Sequence, residues 1–128
     1  MGQLLRSDDL VPDRIVASSA QRARETAHQA ATAAHFSGPI DELDELYLAE
    51  PEAYITAVRR CAPDAERVLL VGHNPGLEAL ALILTGTPLS LPPAGLVVCT
   101  LPIASFGELA LQVRGKMARF AVPPEQKD

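Results

Sequence analysis

Apolar and polar positions along the chain predict two units in which a short buried strand leads through a tight turn into a helix. The run 68–71 is continuously apolar, as expected of a strand covered on both faces of a parallel sheet. A second apolar strand is predicted over 14–18, where it ends in a hydroxyl residue. Apolar residues at helical spacing follow each strand, over about 20–34 and from Pro75 to Gly86. The pattern therefore predicts two strand-to-helix junctions.

The other segments complete an α/β pattern that forms one domain over residues 1–128. The predicted elements are the end of a helix at 1–7, an acidic loop at 40–50, a helix at 51–61, a buried strand at 95–101, a closing hairpin of 109–113 with 117–122, and a polar tail at 123–128. Strands joined through helices, followed by an antiparallel end, indicate a mainly parallel central sheet flanked by helices.

Both predicted helix starts carry residue types that favour such positions. Asn74 is a good N-cap and Pro75 suits the first helical position, where its missing N–H costs nothing. Ser18 or Ser19 is expected to cap the helix that follows the first strand. Gly86 is placed to end its helix in a left-handed conformation.

Polar side chains stand at the carboxyl ends of the two strands. His73 follows one strand, and Ser18 and Arg22 lie at the other. Parallel strands connected through helices bring these ends to one edge of the sheet, where helix N-termini favour anions. The planar guanidinium of Arg22 binds a phosphate or carboxylate with two hydrogen bonds, which also removes its conflict with the helix dipole. We therefore expect two anion-binding junctions to face one cleft.

These residues also have purely structural interpretations. His73 fits a polar turn residue, and the His-Asn-Pro-Gly run fits the start of a helix alone. Arg22 fits a solvated residue or a partner of Glu25, and for Arg24 we adopt that structural interpretation.

Composition argues against several classes of function. The net charge of −5, with no basic run, argues against nucleic acid or acidic lipid as a partner. No apolar stretch approaches the roughly 20 residues of a membrane span, and no signal-peptide pattern is present, so a cytoplasmic location is expected. His28 and His35 lack a third ligand of matching spacing, which argues against a metal site. Cys61 and Cys99 are expected to be buried free thiols.

Several short motifs occur together in the chain. They are Ser18, Arg22-Ala23 and Thr26-Ala27, then Leu-Tyr-Leu-Ala at 46–49, Val-Gly-His-Asn-Pro-Gly-Leu at 71–77 and Leu-Pro-Pro-Ala at 91–94. In this order they resemble the histidine phosphatase (phosphoglycerate mutase-like) superfamily, in particular the SixA-type phosphohistidine phosphatases. The resemblance implies phosphoryl transfer to a histidine, followed by hydrolysis of the phosphohistidine, with no cofactor and no metal.

The resemblance also implies roles for particular residues. Arg22 matches the arginine that grips the phosphoryl oxygens, and His73 matches a histidine that stands beside the phosphate without being the nucleophile. Both are expected to be catalytic, and Ser18 and Asn74 are expected to bind the substrate with them. Glu45 and Glu50 are candidates for a general acid by location only. The implied partner is a phosphorylated small molecule or a phosphohistidine protein.

The chain departs from the family in one respect. The family nucleophile lies in an Arg-His-Gly motif, and this motif does not occur among the 128 residues. His28 and His35 both follow Arg22, and neither precedes a glycine. The resemblance thus implies a missing strand, loop and most of a helix, whose end fits 1–7. Either the natural protein is longer at its N-terminus, or it is a shortened relative with unpaired strand edges.

Three hypotheses follow. The first is a SixA-like phosphatase that hydrolyses phosphohistidine or a small phosphorylated substrate, through a phosphohistidine intermediate whose nucleophile is not in this chain. The second is a non-catalytic domain that binds phosphate or a phosphoprotein. The third is a structural or vestigial domain, in which a homodimer pairs the edges left by the missing strand.

Overall fold

The computed structural model describes residues 10–92 and 95–121. The predicted helix end at 1–7 and the polar tail at 123–128 lie outside the described residues. In chain order the elements are β1 (Arg14–Ser18), α1 (Gln21–Ala33), β2 (Ile40–Leu43), α2 (Pro51–Cys61), β3 (Val68–Val71), α3 (Gly76–Thr85), β4 (Leu96–Thr100) and β5 (Lys116–Ala121), with 3₁₀ turns at Asp44–Leu46 and Phe106–Glu108.

β1 forms the centre of a three-stranded parallel sheet with the strand order β2-β1-β3. Its residues 15–18 are fully buried, because strands and helices cover both its edges and both its faces. Ala17 lies opposite Val71 of β3, and Ser18 lies opposite Leu43 of β2. The parallel register brings the carboxyl ends of the three strands to one edge of the sheet.

Helices cover the two faces of this sheet. α1 packs on one face through small buried side chains, namely Ala23, Ala27, Ala30 and Ala31, which form a core with Ile15, Ala17, Leu69 and Val71. α2 and α3 cover the other face, and their buried residues Tyr54, Ile55, Val58, Leu80 and Leu84 form a second core with Val16. The predicted α/β fold with a parallel central sheet is confirmed.

β4 and β5 form a separate antiparallel pair. The prediction that 109–113 forms the first strand of a closing hairpin is wrong, because this segment forms turns: Leu109 N–H donates to Phe106 O and Val113 N–H donates to Ala110 O, both at 3.1 Å. Its alternating apolar residues pack against the core under α2 and α3. The alternation of large apolar residues over 109–113 therefore reflects packing against the helices and not strand pairing. The strand that pairs with β5 is β4.

The acidic segment predicted as a loop contains the strand β2. Ile40 and Leu43 are half-buried against the neighbouring layers, and Asp41 accepts a hydrogen bond from Arg14 Nη2 at 2.8 Å across the β1–β2 pair. One side of an edge strand faces water, so its carboxylates cost little there. The acidic composition masked a strand that is defined by its parallel pairing with β1.

Both helix starts differ from the predicted caps. α1 begins at Gln21 with Ala20 as its N-cap, and α3 begins at Gly76 with Pro75 as its N-cap, after a cis Asn74–Pro75 peptide. Neither helix has a side-chain cap, so Asn74 does not serve as the N-cap. Gly86 ends α3 with φ 74°, as predicted.

Among the described strands, β3 pairs only with β1, along one edge. Asn74 Nδ2, after β3, donates to Leu91 O at 2.7 Å, and Gly107 N–H, after β4, donates to Pro63 O at 3.2 Å, so hydrogen bonds join the segments that flank the two strands. Two cavities of about 520 and 440 Å³ are each lined by residues of both strands. We call this gap the slot between β3 and β4, and whether a strand edge is left unpaired in the whole protein stays a prediction.

Candidate functional site

His73 and Ser18 meet at the carboxyl edge of the parallel sheet. His73 lies two residues after β3 and Ser18 is the last residue of β1, and Nε2 of His73 lies 2.9 Å from Oγ of Ser18. Ser18 is fully buried, and its Oγ also accepts the N–H of Ala20 at 3.2 Å. The structure therefore brings these two predicted site residues together and holds the hydroxyl in a fixed position.

Arg22 stands in the first turn of α1 and lines the same cavity as His73. Its side chain is exposed and makes no hydrogen bond or ion pair with any residue in the described ranges 10–92 and 95–121. The expected alternative partner, Glu25, accepts a hydrogen bond from Gln21 instead, at 3.1 Å. The positive guanidinium of Arg22 lies near the positive N-terminal end of the α1 dipole, which is unfavourable. An anion bound between Arg22 and His73 would balance the charge of the guanidinium and that of the helix end.

Asn74 is exposed and lines the cavity, but its amide makes a contact within the protein. Nδ2 of Asn74 donates to Leu91 O at 2.7 Å, and a carboxylate oxygen of Glu78 accepts the N–H of the same Leu91 at 2.5 Å. Together the two side chains hold the segment before β4 against the start of α3. Asn74 thus positions one wall of the cavity, and its role in binding a substrate stays a prediction.

The cavity that these residues border has a volume of about 520 Å³. Arg22, His73 and Asn74 form its polar end, whereas most of its lining is apolar. The ring of Tyr47 meets the His73 ring edge-on, with 5.4 Å between the ring centroids. A cleft with one polar, cationic end and apolar walls suits a ligand that carries a single anionic group.

Two solved structures share this architecture. One, from Nakamurella multipartitia, matches with a TM-score of 0.79 and 25% identity over 95% of this chain and 77% of that chain. The other, from Agrobacterium tumefaciens, matches with a TM-score of 0.68 and 26% identity over 95% of this chain and 75% of that chain. Both are provisionally named phosphohistidine phosphatase SixA. The chain has a SixA-type histidine phosphatase fold.

Curated relatives of this SixA-type chain are known from mycobacteria. An uncharacterized protein of Mycobacterium leprae is 31% identical over 86 residues, which are 67% of this chain and 51% of the relative. One from Mycobacterium tuberculosis is 34% identical over 84 residues, which are 65% of this chain and 50% of the relative. The chain thus spans about half the length of the curated relatives it matches. No protein-family model matches it, and none of the helices at 10–92 or 95–121 is long and apolar enough to cross a bilayer.

The carboxylates of the acidic segment are committed to other contacts in this SixA-type fold. Ser19 Oγ donates to Asp44, and Arg60 Nη2 donates to Glu45 at 2.9 Å. The hydrogen bond from Arg60 lowers the pKa of Glu45 below its usual value, which favours the ionised carboxylate that has no proton to donate. Neither Glu45 nor Glu50 lines the cavity.

The other histidines lie away from this site. His28 contacts Glu42 of β2 at 2.9 Å, and neither it nor His35 lines the cavity. No group of three or more possible metal ligands is found among the residues that the structure describes. Cys61 and Cys99 are half-buried free thiols, and burial raises the pKa of Cys99.

Tyr54 is the site residue that sequence analysis missed. It is fully buried in α2, its hydroxyl oxygen accepts the N–H of His73 at 2.9 Å, and it donates to His73 O at 3.4 Å. A Cβ on Gly72 would lie 2.2 Å from that hydroxyl oxygen, so the glycine is required by the close approach. Its position on the apolar face of α2 predicted a core residue, and only the tertiary contact reveals the polar role.

Proposed function

We propose that this chain is a SixA-like phosphatase domain that hydrolyses phosphohistidine or a small phosphorylated substrate. The reaction proceeds through a phosphohistidine intermediate whose nucleophile is not among these 128 residues. One observation carries the proposal: the 2.9 Å contact of His73 with Ser18, at adjoining strand ends, beside an Arg22 that lines the same cavity.

The chemistry of phosphoryl transfer explains why these residue types suit the site. Negative charge spreads over three equatorial oxygens in the transition state, so positioning and electrostatic stabilisation supply most of the catalysis. Arg22 offers two parallel N–H donors to those oxygens, and His73 stands beside them as a donor or cation. Ser18 orients the His73 ring, because its own oxygen is held by Ala20.

A second candidate is a domain that binds a phosphorylated ligand without turnover. The observation that favours it is the sequence itself, which holds Arg22, Ser18 and His73 but no Arg-His-Gly motif. Turnover separates the two candidates. The phosphatase proposal expects the polypeptide isolated from its source to hydrolyse a phosphohistidine peptide, and the binding proposal expects that peptide to bind and remain intact.

Titration calorimetry with inorganic phosphate tests the site that both candidates share. Arg22→Ala should weaken phosphate binding by about tenfold to hundredfold, since charge-assisted hydrogen bonds contribute roughly 1.5–3 kcal/mol. Arg24→Ala is the matched control, because Arg24 is also exposed on α1 but does not line the cavity. Equal affinities for the unmodified chain and Arg22→Ala would contradict the assignment.

A further inference from the structure

Two large apolar side chains that are adjacent in sequence are exposed beside the cavity that His73 lines. Tyr47 is 61% exposed and Leu48 is 62% exposed, which makes them the most exposed large hydrophobic residues of the described chain. Leu48 lines the cavity, and Tyr47 meets the ring of His73. Their exposure therefore coincides with the proposed phosphate site.

The backbone holds this pair rigidly. Leu46 and Tyr54, on either side of the pair in sequence, are both fully buried. Tyr47 N–H donates to Asp44 O at 3.1 Å, and a Cβ on Gly76 would lie 2.1 Å from Ala49 O, so the segment fits closely against the start of α3. The backbone that carries the two side chains is thus held in place beside the cavity.

Leu48 also has an unfavourable backbone conformation. Its φ is 50°, in the left-handed region that a branched side chain rarely adopts. Residues kept in such conformations cluster at ligand sites, where the surrounding structure maintains them. Leu48 is exposed and adds no buried side chain to the core, so core packing does not explain its unfavourable backbone conformation. A role in binding explains both its exposure and its conformation.

We propose that Tyr47 and Leu48 are specificity-determining residues that bind the part of the substrate attached to the phosphoryl group. This inference rests on the proposed function. A group bonded to a phosphate beside His73 comes within reach of the Tyr47 ring, because that ring contacts His73. The geometry selects a planar apolar group, which stacks on Tyr47 and packs on Leu48, over a polyol such as a sugar.

Charge at the cavity points to the same class of substrate. Arg22 is the one arginine or lysine among the described residues that line it, whereas Asp44, Glu45 and Glu50 lie along the segment that carries Tyr47 and Leu48. One guanidinium and one imidazole suit a single phosphoryl group. No other lysine or arginine of the described residues lines the cavity, so the lining offers no cation to a second phosphate.

Calorimetric titration of the 128-residue chain with phenyl phosphate, glycerol phosphate and inorganic phosphate tests this inference. The unmodified chain should bind phenyl phosphate about threefold to tenfold tighter than glycerol phosphate, as expected for one aromatic contact. Tyr47→Ala and Leu48→Gly should each reduce that ratio towards one, and Leu48→Gly should leave the affinity for inorganic phosphate unchanged. Glycine adopts a positive φ without strain, so Leu48→Gly should fold at least as well.

The control is Leu82→Ala, since Leu82 is 44% exposed on α3 and does not line the cavity. It should keep the preference for phenyl phosphate. An unchanged ratio in Tyr47→Ala and Leu48→Gly, or equal weakening of all three ligands, would overturn the inference while leaving the phosphate site intact. Failure of the unmodified chain to bind inorganic phosphate would instead defeat the proposed function, and this inference with it.

Discussion

Tyr54 fixes the backbone on which His73 is carried. The tyrosine hydroxyl accepts the His73 N–H and donates to the His73 carbonyl, so both polar groups of that peptide segment are satisfied by one buried side chain. The contact with Gly72 leaves no room for a larger residue in the turn. The placement of the His73 ring beside Ser18 therefore depends on Tyr54, which belongs to none of the motifs that carry the family resemblance.

Tyr54→Phe should lower the free energy of unfolding by about 1–3 kcal/mol, because the N–H of His73 loses its partner in a half-buried site. The same variant should also weaken phosphate binding, since the ring of His73 is then less firmly held. Denaturant unfolding and calorimetry measure the two effects. Tyr47→Phe is the control for stability, because Tyr47 is largely exposed and its hydroxyl is not part of this contact.

The stability contributed by Tyr54 should also depend on pH. Burial raises the pKa of Tyr54 above its usual 10.0, so the folded protein holds this proton more tightly than the unfolded chain. The contribution is complete below pH 10.0 and is lost as the pH rises through and beyond that value. The difference in unfolding free energy between the unmodified chain and Tyr54→Phe should therefore narrow above that pH. A constant difference would contradict the account.

At the scale of elements, Asp13 fixes β3 beside β1. One carboxylate oxygen of Asp13 accepts the N–H groups of Glu66 at 2.7 Å and Arg67 at 2.9 Å, and Asp13 N–H donates to Arg67 O at 2.8 Å. These bonds join the segments that enter the two strands. Since Ser18 and His73 lie at the far ends of the same strands, this alignment also sets the distance between them.

Asp13→Ala should therefore lower the free energy of unfolding by about 1–2 kcal/mol, since two hydrogen bonds to a charged acceptor are lost at an exposed position where water replaces part of them. Denaturant unfolding measures this loss of free energy, provided that the dependence of the unfolding free energy on denaturant concentration is the same for both proteins. Asp64→Ala is the control, because Asp64 is an exposed carboxylate in the same turn and makes none of these contacts. An equal loss in both variants would show that charge, not the strand connection, is responsible.

The elements that the sequence predicted are those whose own residues show a clear pattern of buried apolar positions. β1, β3, α1 and α2 are found within one residue of their predicted bounds, since each has a clear apolar run or helical face. β2 was missed because an edge strand tolerates carboxylates. Segment 109–113 was predicted as a strand because its large apolar residues occur at alternate positions, although they pack against the core under the helices. In the site, adjacency of Ser18 and His73 followed from parallel strands, whereas the contact of Tyr54 depends on tertiary packing that no local pattern records.

At the scale of the whole molecule, the slot separates the parallel sheet from the β4–β5 pair. Leu96 and Val98 of β4 join the core beneath α1, and Leu101 joins the core beneath α2 and α3, so the two layers continue across the slot. The edge of β3 that pairs with no described strand therefore borders the slot, together with β4. A homodimer formed by edge pairing stays a prediction, and the edge of β3 would be reached only through the slot.

A phosphate titration followed by NMR of the histidine side-chain nitrogens observes the proposed phosphate site itself. We expect a saturable change at His73 and none at His28 or His35, because, of the three histidines, only His73 lines the cavity with Arg22. Arg22→Ala should abolish the change, and Arg24→Ala should preserve it. No response at His73, or an equal response at all three histidines, would contradict the assignment of a phosphate site to Arg22, Ser18 and His73.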